Sequence, residues 1–294
     1  MTDNSSPPPA TAIARPATDR SGRGRRDSRT GFSFSRVGAM IQRHWYLLRS
    51  SWPRTIELIY WPAIQLLTWG FVQTYITQHS SFFSNAAGTF IGAMLLWDIL
   101  LRSQQGFSFA FLEELWARNL GNLLMSPLRP SELIVSLMVV SLIRLAVGMV
   151  PVTLVAIPMF GFNLWGLGGA LAIFVLNLIL TAWAVGIVIS GILLRQGMGA
   201  ENLAWTVMFV IVPVACVYYP VSTLPGFLQP IAWSLPPTYV FEGMRAALIG
   251  HTFRADLMGM AFLLNVVAMS VAIFAFFRLL ASARRQGSLL STGE

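Results

Sequence analysis

Not one of the 294 residues is a lysine; all 20 basic side chains are arginine. A nucleotide-binding P-loop, GxxxxGK[ST], uses its lysine to reach the phosphates, so that motif is absent from this sequence. Cysteine is almost missing too. The lone Cys216 excludes an intramolecular disulfide and a CxxC metal site, and in its apolar run it reads as a small packing residue. The histidines His44, His79 and His251 stand far apart and near water, which gives little footing for metal or acid–base catalysis. No nucleophile elbow GxSxG occurs, since GFSFA at 106–110 lacks the second glycine. Charge is scarce as well. Charged residues make up 11% of the chain, against about 25% in soluble domains, too few to cover an aqueous surface.

What the sequence does have is apolar length. Hydrophobic residues make up 55% of it and come in long runs. A span takes about 20 apolar residues, and the runs predict about six spans, at 53–75, 88–110, 132–160, 164–194, 203–223 and 256–280. A soluble helical core would show a polar stripe on most helices; the run 167–194 has none. The net charge of +8 sits in the N-terminal region and between the runs. That distribution speaks for membrane orientation and against a nucleic-acid partner. Loops 77–87 and 161–166 carry no arginine, whereas Arg118, Arg129, Arg195, Arg278, Arg284 and Arg285 lie on the other side. The positive-inside rule then places both termini in the cytoplasm. The expected fold class is an all-α polytopic membrane protein, multi-pass in the cell (inner) membrane. Its expected divisions are a disordered cytoplasmic tail at 1–31, a transmembrane domain at 32–282 and a cytoplasmic C-terminal tail at 283–294. The N-terminal tail is rich in Pro, Ser, Thr and Arg. It lacks the apolar region of a secretory signal, and Pro7-Pro8-Pro9 argues against the helix of a transit peptide.

Four segments are not spans. Over Phe34–Ser50 the residues Phe34, Val37, Ile41, Trp45 and Leu48 share one helix side, and Ser35, Arg36, Gln42, Arg43, Arg49 and Ser50 the other. This predicts an amphipathic helix suited to the membrane interface and its lipids; a simple juxtamembrane basic segment is the alternative. In the loop 113–132, Phe111, Leu115, Leu120, Leu123 and Leu124 keep a helical spacing, and Glu114 and Arg118 can pair at i, i+4. Pro127 and Pro130 stop that helix, and Ser131 can cap the next. Such a helix either docks in a partner groove or rests on the bilayer. The connection 195–202, RQGMGAEN, is a short polar turn. The last segment, 224–251, is too proline-broken for a span and too apolar for open water. Thr238 can cap its final helical piece, and Glu242 can pair with Arg245. Irregular backbone at membrane depth needs protein or a cavity around it, which predicts a re-entrant outer hairpin before the last span; a compact outer loop is the alternative.

Glu57, Asp98, Arg102 and Arg144 fall within the expected spans, where charge is costly. Asp98 and Arg102 share a face at i, i+4, which leaves Glu57 for Arg144. Ion pairs that hold a bundle together are the favoured reading, with a substrate role second. An ion-coupled secondary transporter would rely on midplane acids, for which Asp98 is the candidate. A membrane enzyme acting on lipids would need a His or acidic cluster at one interface, and none is visible.

The segments FLEELWARNLGNLLMSPLRPSE and LPPTYVFEGMRAAL, together with the Trp61-Pro62 pair, resemble the permease family of ABC type-2 transporters. The likeness runs from about Phe34 to Leu280. It implies a homodimer or a pair with a related permease, each partner contributing six spans, an interface helix, a coupling helix in the first cytoplasmic loop and re-entrant helices. It further implies two copies of an ABC ATPase subunit, which bind the ATP and magnesium, so that this chain holds no cofactor and is not itself the enzyme. On that resemblance Glu113, Glu114, Trp116, Arg118, Asn119 and Asn122 would meet the ATPase. Pro236, Pro237, Tyr239, Glu242 and Arg245 would belong to the outer gate. The implied function is export of an amphipathic or lipid-linked substrate, such as a drug, a glycolipid or a polysaccharide.

Overall fold

The computed structural model describes residues 31–79 and 87–286. The expected tail at 1–31 lies outside them except for Gly31, as do residues 287–294, most of the loop 77–87 and the side chain of Leu124. Helix α1 (Phe34–Ser50) leads into α2 (Trp52–His79), α3 (Ala87–Trp116), the short α4 (Leu120–Met125) and α5 (Pro130–Phe160). Then come α6 (Gly169–Gln196), α7 (Leu203–Val214), the short α8 (Gln229–Trp233), α9 (Pro236–Ile249) and α10 (Ala255–Gln286). Runs this apolar fold as helices because a backbone without water must bond within its own segment. Pro130 and Pro236 start helices where an N–H would have no partner anyway. Gly161, at φ 65°, ends α5 in the left-handed conformation that a side chain resists.

Three described helices, α5, α6 and α10, are long and apolar enough to cross a membrane. α3 has 30 residues but falls short in apolar character. Its position explains why. It packs against α2, α5, α6, α7 and α9, and every side chain from Ile91 to Leu101 is buried. A helix wrapped in protein has no lipid to satisfy, and its Asp98, Ser103, Gln104, Gln105 and Ser108 are buried inside the bundle. α10 is the opposite case. It leans on α6 and α9 and leaves Phe262, Leu263, Val266, Val267, Val271 and Phe274 exposed. A polar clasp fixes its one inner face. The Thr181 hydroxyl donates to Asn265 Oδ1 at 2.7 Å, and Asn265 Nδ2 donates to the Asn177 carbonyl at 3.0 Å. Such bonds act as glue between helices that gain little from hydrophobicity in lipid. α2 and α5 approach closely, since a Cβ on Gly148 would stand 2.7 Å from the Leu58 carbonyl oxygen.

Several expected boundaries change. α6 begins at Gly169 rather than 164, because Leu164–Leu167 forms a 3-10 turn whose Trp165 N–H donates to the Asn163 side chain. α3 runs on to Trp116, and α10 to Gln286, past the expected start of the C-terminal tail. The expected fifth span at 203–223 is not one helix. α7 stops at Val214 after 12 residues, about 18 Å and short of a full crossing. Cys216, at φ 53°, turns the chain there.

Candidate functional site

One end of the bundle collects Arg36, Arg43, Arg118, Arg129 and Arg195 near helix termini and loops. At this arginine-rich end a cleft of about 440 Å³ opens between α2, α3, α5 and the start of α7. Its lining joins three of the four expected span charges, Glu57, Arg102 and Arg144, to Glu113 and Trp116 from the expected partner contact. Trp61, Phe109 and Trp205 add aromatic walls, with Phe109 and Trp205 ring centroids 5.1 Å apart.

The pairing inside this cleft corrects the sequence reading. Arg144 does not meet Glu57: its Nη2 donates to Glu113 Oε2 at 2.6 Å, and Arg54 stands 3.7 Å from the other Glu113 oxygen. Arg144 does lie about 21 Å along α5. However, α5 starts well beyond the level at which α3 ends, so that distance brings Arg144 beside Glu113, three residues before Trp116. Counting depth from a helix's own start misplaces a residue whose helix overhangs the bundle. Asp98 and Arg102 form no ion pair either. Arg102 Nη1 donates to Gln105 Oε1 at 3.0 Å, while Arg102 Nε and both Asp98 oxygens are buried without a hydrogen-bond partner. Glu57 is exposed and has no ion-pair partner among the described residues.

Beside the cleft, α1 is bolted to the bundle by two carboxylates. Glu132, fully buried, accepts from Ser33 N at 2.8 Å, from Arg36 Nε at 2.8 Å and Nη2 at 2.5 Å, and from Arg129 N at 3.0 Å. The last bond, and not Ser131, caps α5. Glu132 in turn raises the Arg36 pKa by accepting from its guanidinium. Glu114 is 1% exposed and accepts from Arg43 Nη1 at 2.5 Å and Asn119 Nδ2 at 2.9 Å. It therefore does not pair with Arg118, which lies in the turn after α3 at φ 51° and is exposed. His44 is buried next to Glu114, Nε2 3.5 Å from its Oε1, rather than near water. The buried stripe of α1 is Val37, Met40, His44 and Leu48, which leaves Phe34 and Trp45 exposed.

The expected partner-contact residues thus divide. Glu113 and Glu114 turn into the chain, and Asn119 spans the break before α4. Trp116, Arg118 and Asn122 are exposed, together with Met125. Trp116 Nε1 also donates to Glu201 Oε2 at 3.2 Å, which ties the first connection at this end to the second.

At the opposite end, α9 packs against α10, α6 and α3, with Pro236, Pro237, Val240, Phe241 and Met244 buried. Its helix starts at Pro236, so Thr238 is no cap, and its hydroxyl is buried without a partner. Tyr239 meets Trp233 at a tilt, ring centroids 4.9 Å apart. The expected Glu242–Arg245 pair forms at 3.1 Å and does more than pair. Glu242 Oε1 accepts from Val221 N at 2.8 Å, and Arg245 donates to the Cys216 carbonyl at 3.0 Å and the Val217 carbonyl at 3.3 Å. These groups are left over where α7 stops, and such backbone groups need partners away from water.

Sequence reasoning missed Arg54, Glu201, Trp205 and the Asn177–Thr181–Asn265 clasp. Only the last carried a signal, as amides and a hydroxyl within apolar runs. Among the described residues no cluster of three or more His, Cys, Asp or Glu is placed to hold a metal. Residues 36–249 match the family model described as ABC-2 type transporter, a stretch from α1 to the end of α9. No curated protein matches the chain.

Proposed function

Because the chain belongs to the ABC-2 type transporter family, whose membrane chains are permease components, we propose that it exports an amphipathic or lipid-linked substrate, driven by an ABC ATPase on a separate polypeptide. The arginine-rich end is then cytoplasmic. In this reading α2, α3, α5, α6, α7 with its following segment, and α10 make up the six-span protomer, two protomers form the pore, and two ATPases dock beneath it. The observation that carries the proposal is the exposed surface of Trp116, Arg118 and Asn122, held by a lattice of internal bonds. Motion imposed there passes into α3 directly, and through Glu114 into α1. Glu242 and Arg245 brace the outer segment against which the gate would work.

The test is Arg118→Glu in the chain coexpressed with its ATPase. The residue is exposed, so membrane insertion and melting temperature stay unchanged. Transport per ATP hydrolysed, or recovery of the ATPase on copurification, falls about tenfold, the effect of one lost charge-assisted contact. Normal coupling and normal copurification in that variant refute the proposal. Asp98 favours a second reading, ion-coupled transport, because its carboxyl is buried with no hydrogen-bond partner. A protonophore that abolishes transport while ATPase activity continues would select that reading.

A further inference from the structure

The charges lining the cleft are not equally committed. Glu113 is taken by Arg144 and Arg54, and Glu201 by Trp116. Two opposite charges remain. Arg102 spends one nitrogen on Gln105 and keeps its buried Nε free, and Glu57 has no cation paired with it among the described residues. A partly desolvated guanidinium with no anion in contact is costly to keep, and neither Asp98, one helical turn away, nor Glu57 comes within ion-pair reach of it, though both carry charge nearby. Trp61 and Trp205, half-exposed, line the same cleft, and their faces suit an ammonium or an acyl chain. A volume of about 440 Å³ falls at the low end of small-molecule sites. It takes a headgroup, not a folded chain.

We propose that this cleft is a binding site for the zwitterionic head of an amphiphile, with Arg102 receiving its phosphate or carboxylate and Glu57, with Trp61 and Trp205, its ammonium. A singly charged head satisfies one of the two groups and strands the other. A zwitterion satisfies both, and its apolar tail leaves along the exposed face of α2, where Ile56, Tyr60 and Ile64 are open to the surroundings. The assignment of such an amphiphile as cargo rests on the permease reading; binding itself does not.

The probe is the full-length chain in nanodiscs, without ATPase or nucleotide, titrated with lysophosphatidylethanolamine, lysophosphatidylglycerol and dodecyltrimethylammonium while tryptophan fluorescence is read. The zwitterionic lipid binds about tenfold more tightly than either singly charged one, the equivalent of one charge-assisted contact. Glu57→Gln, at an exposed position, abolishes the preference over lysophosphatidylglycerol. Arg102→Gln abolishes the preference over dodecyltrimethylammonium. Competition by glycerophosphoethanolamine shows that the head alone suffices and the source is water-soluble; its failure to compete shows that the tail is needed and the source is the membrane. Equal affinity for the three probes, or a preference that survives Glu57→Gln in a protein of normal melting temperature, overturns the proposal. Because no ATPase is present, that failure would leave the permease reading untouched, and uncoupled transport in Arg118→Glu would leave this one untouched.

Discussion

Glu113→Gln removes one anion from two arginines at once, and the damage should exceed that of removing either arginine. Arg144 is 8% exposed, Glu113 15%, and their contact is 2.6 Å. Taking away one partner of a buried pair costs about 3–5 kcal/mol, because the other charge stays behind unpaired. Arg54 adds little, at most about 1 kcal/mol, since it is 42% exposed and screened by water. Arg144→Gln is the milder change. It leaves Glu113 with Arg54 at 3.7 Å and some access to solvent, so the loss is one charge-assisted hydrogen bond, about 1.5–3 kcal/mol. The double variant leaves two neutral amides facing each other and should be no less stable than Glu113→Gln alone. At about 2–4 °C per kcal/mol, Glu113→Gln lowers the melting temperature by roughly 6–20 °C and Arg144→Gln by about half as much. Size-exclusion profiles of heated, detergent-solubilised protein read these values. If Arg144→Gln melts at or below Glu113→Gln, or the double variant shows the sum of both losses, the pairing is wrong.

Two further outcomes are expected. Asn265→Leu breaks the clasp between α6 and α10 and lowers stability by about 1–2 kcal/mol, visible as a shift in the same heating assay; an unchanged profile removes the clasp as a structural element. Arg245→Gln frees the Cys216 and Val217 carbonyls at the end of α7. The segment should then open more often, and maleimide labelling of Cys216, the buried and only cysteine, should accelerate severalfold while labelling of the unfolded chain stays the same. Equal rates would show that Arg245 does not hold that turn.

How much of this was legible in the sequence follows from the range of each interaction. Helices α1, α2, α5 and α10 were readable because apolar period and length are local properties, and so was the Glu242–Arg245 pair, one helical turn apart. The pair Arg144–Glu113 was not, because it depends on how far α5 overhangs α3, and no local pattern carries relative helix height. Glu114 misled for a related reason. Its favoured partner at i, i+4 was Arg118, but α3 ends at Trp116, and a turn that is no longer helical does not keep the spacing. The offer from Arg43, 71 residues earlier, wins once α1 is docked. The end of α7 was hidden by composition: residues 215–219 are as apolar as the helix before them, and what stops the helix is α9 offering partners to the backbone.

α3 is the element on which both ends depend. Its 30 residues, about 45 Å of helix, contain no proline, whereas α2, α5 and α7 each contain at least one. Proline is one named cause of sharp kinks, and without it α3 is suited, on the permease reading, to carry displacement along its length. At one end it carries Glu113, Glu114 and Trp116, which reach α5, α1 and the second connection. Near the other end a Cβ on Gly92 would stand 3.0 Å from Leu248 and 3.4 Å from Met244, both on α9. The glycine lets α3 and α9 pack closely there. On the permease reading, an axial push at Trp116 would reach α9, which holds the broken backbone after α7 through Glu242 and Arg245. The buried polar residues along α3 fit the same role, since a rod enclosed by its neighbours tolerates groups that a lipid-facing helix would expel.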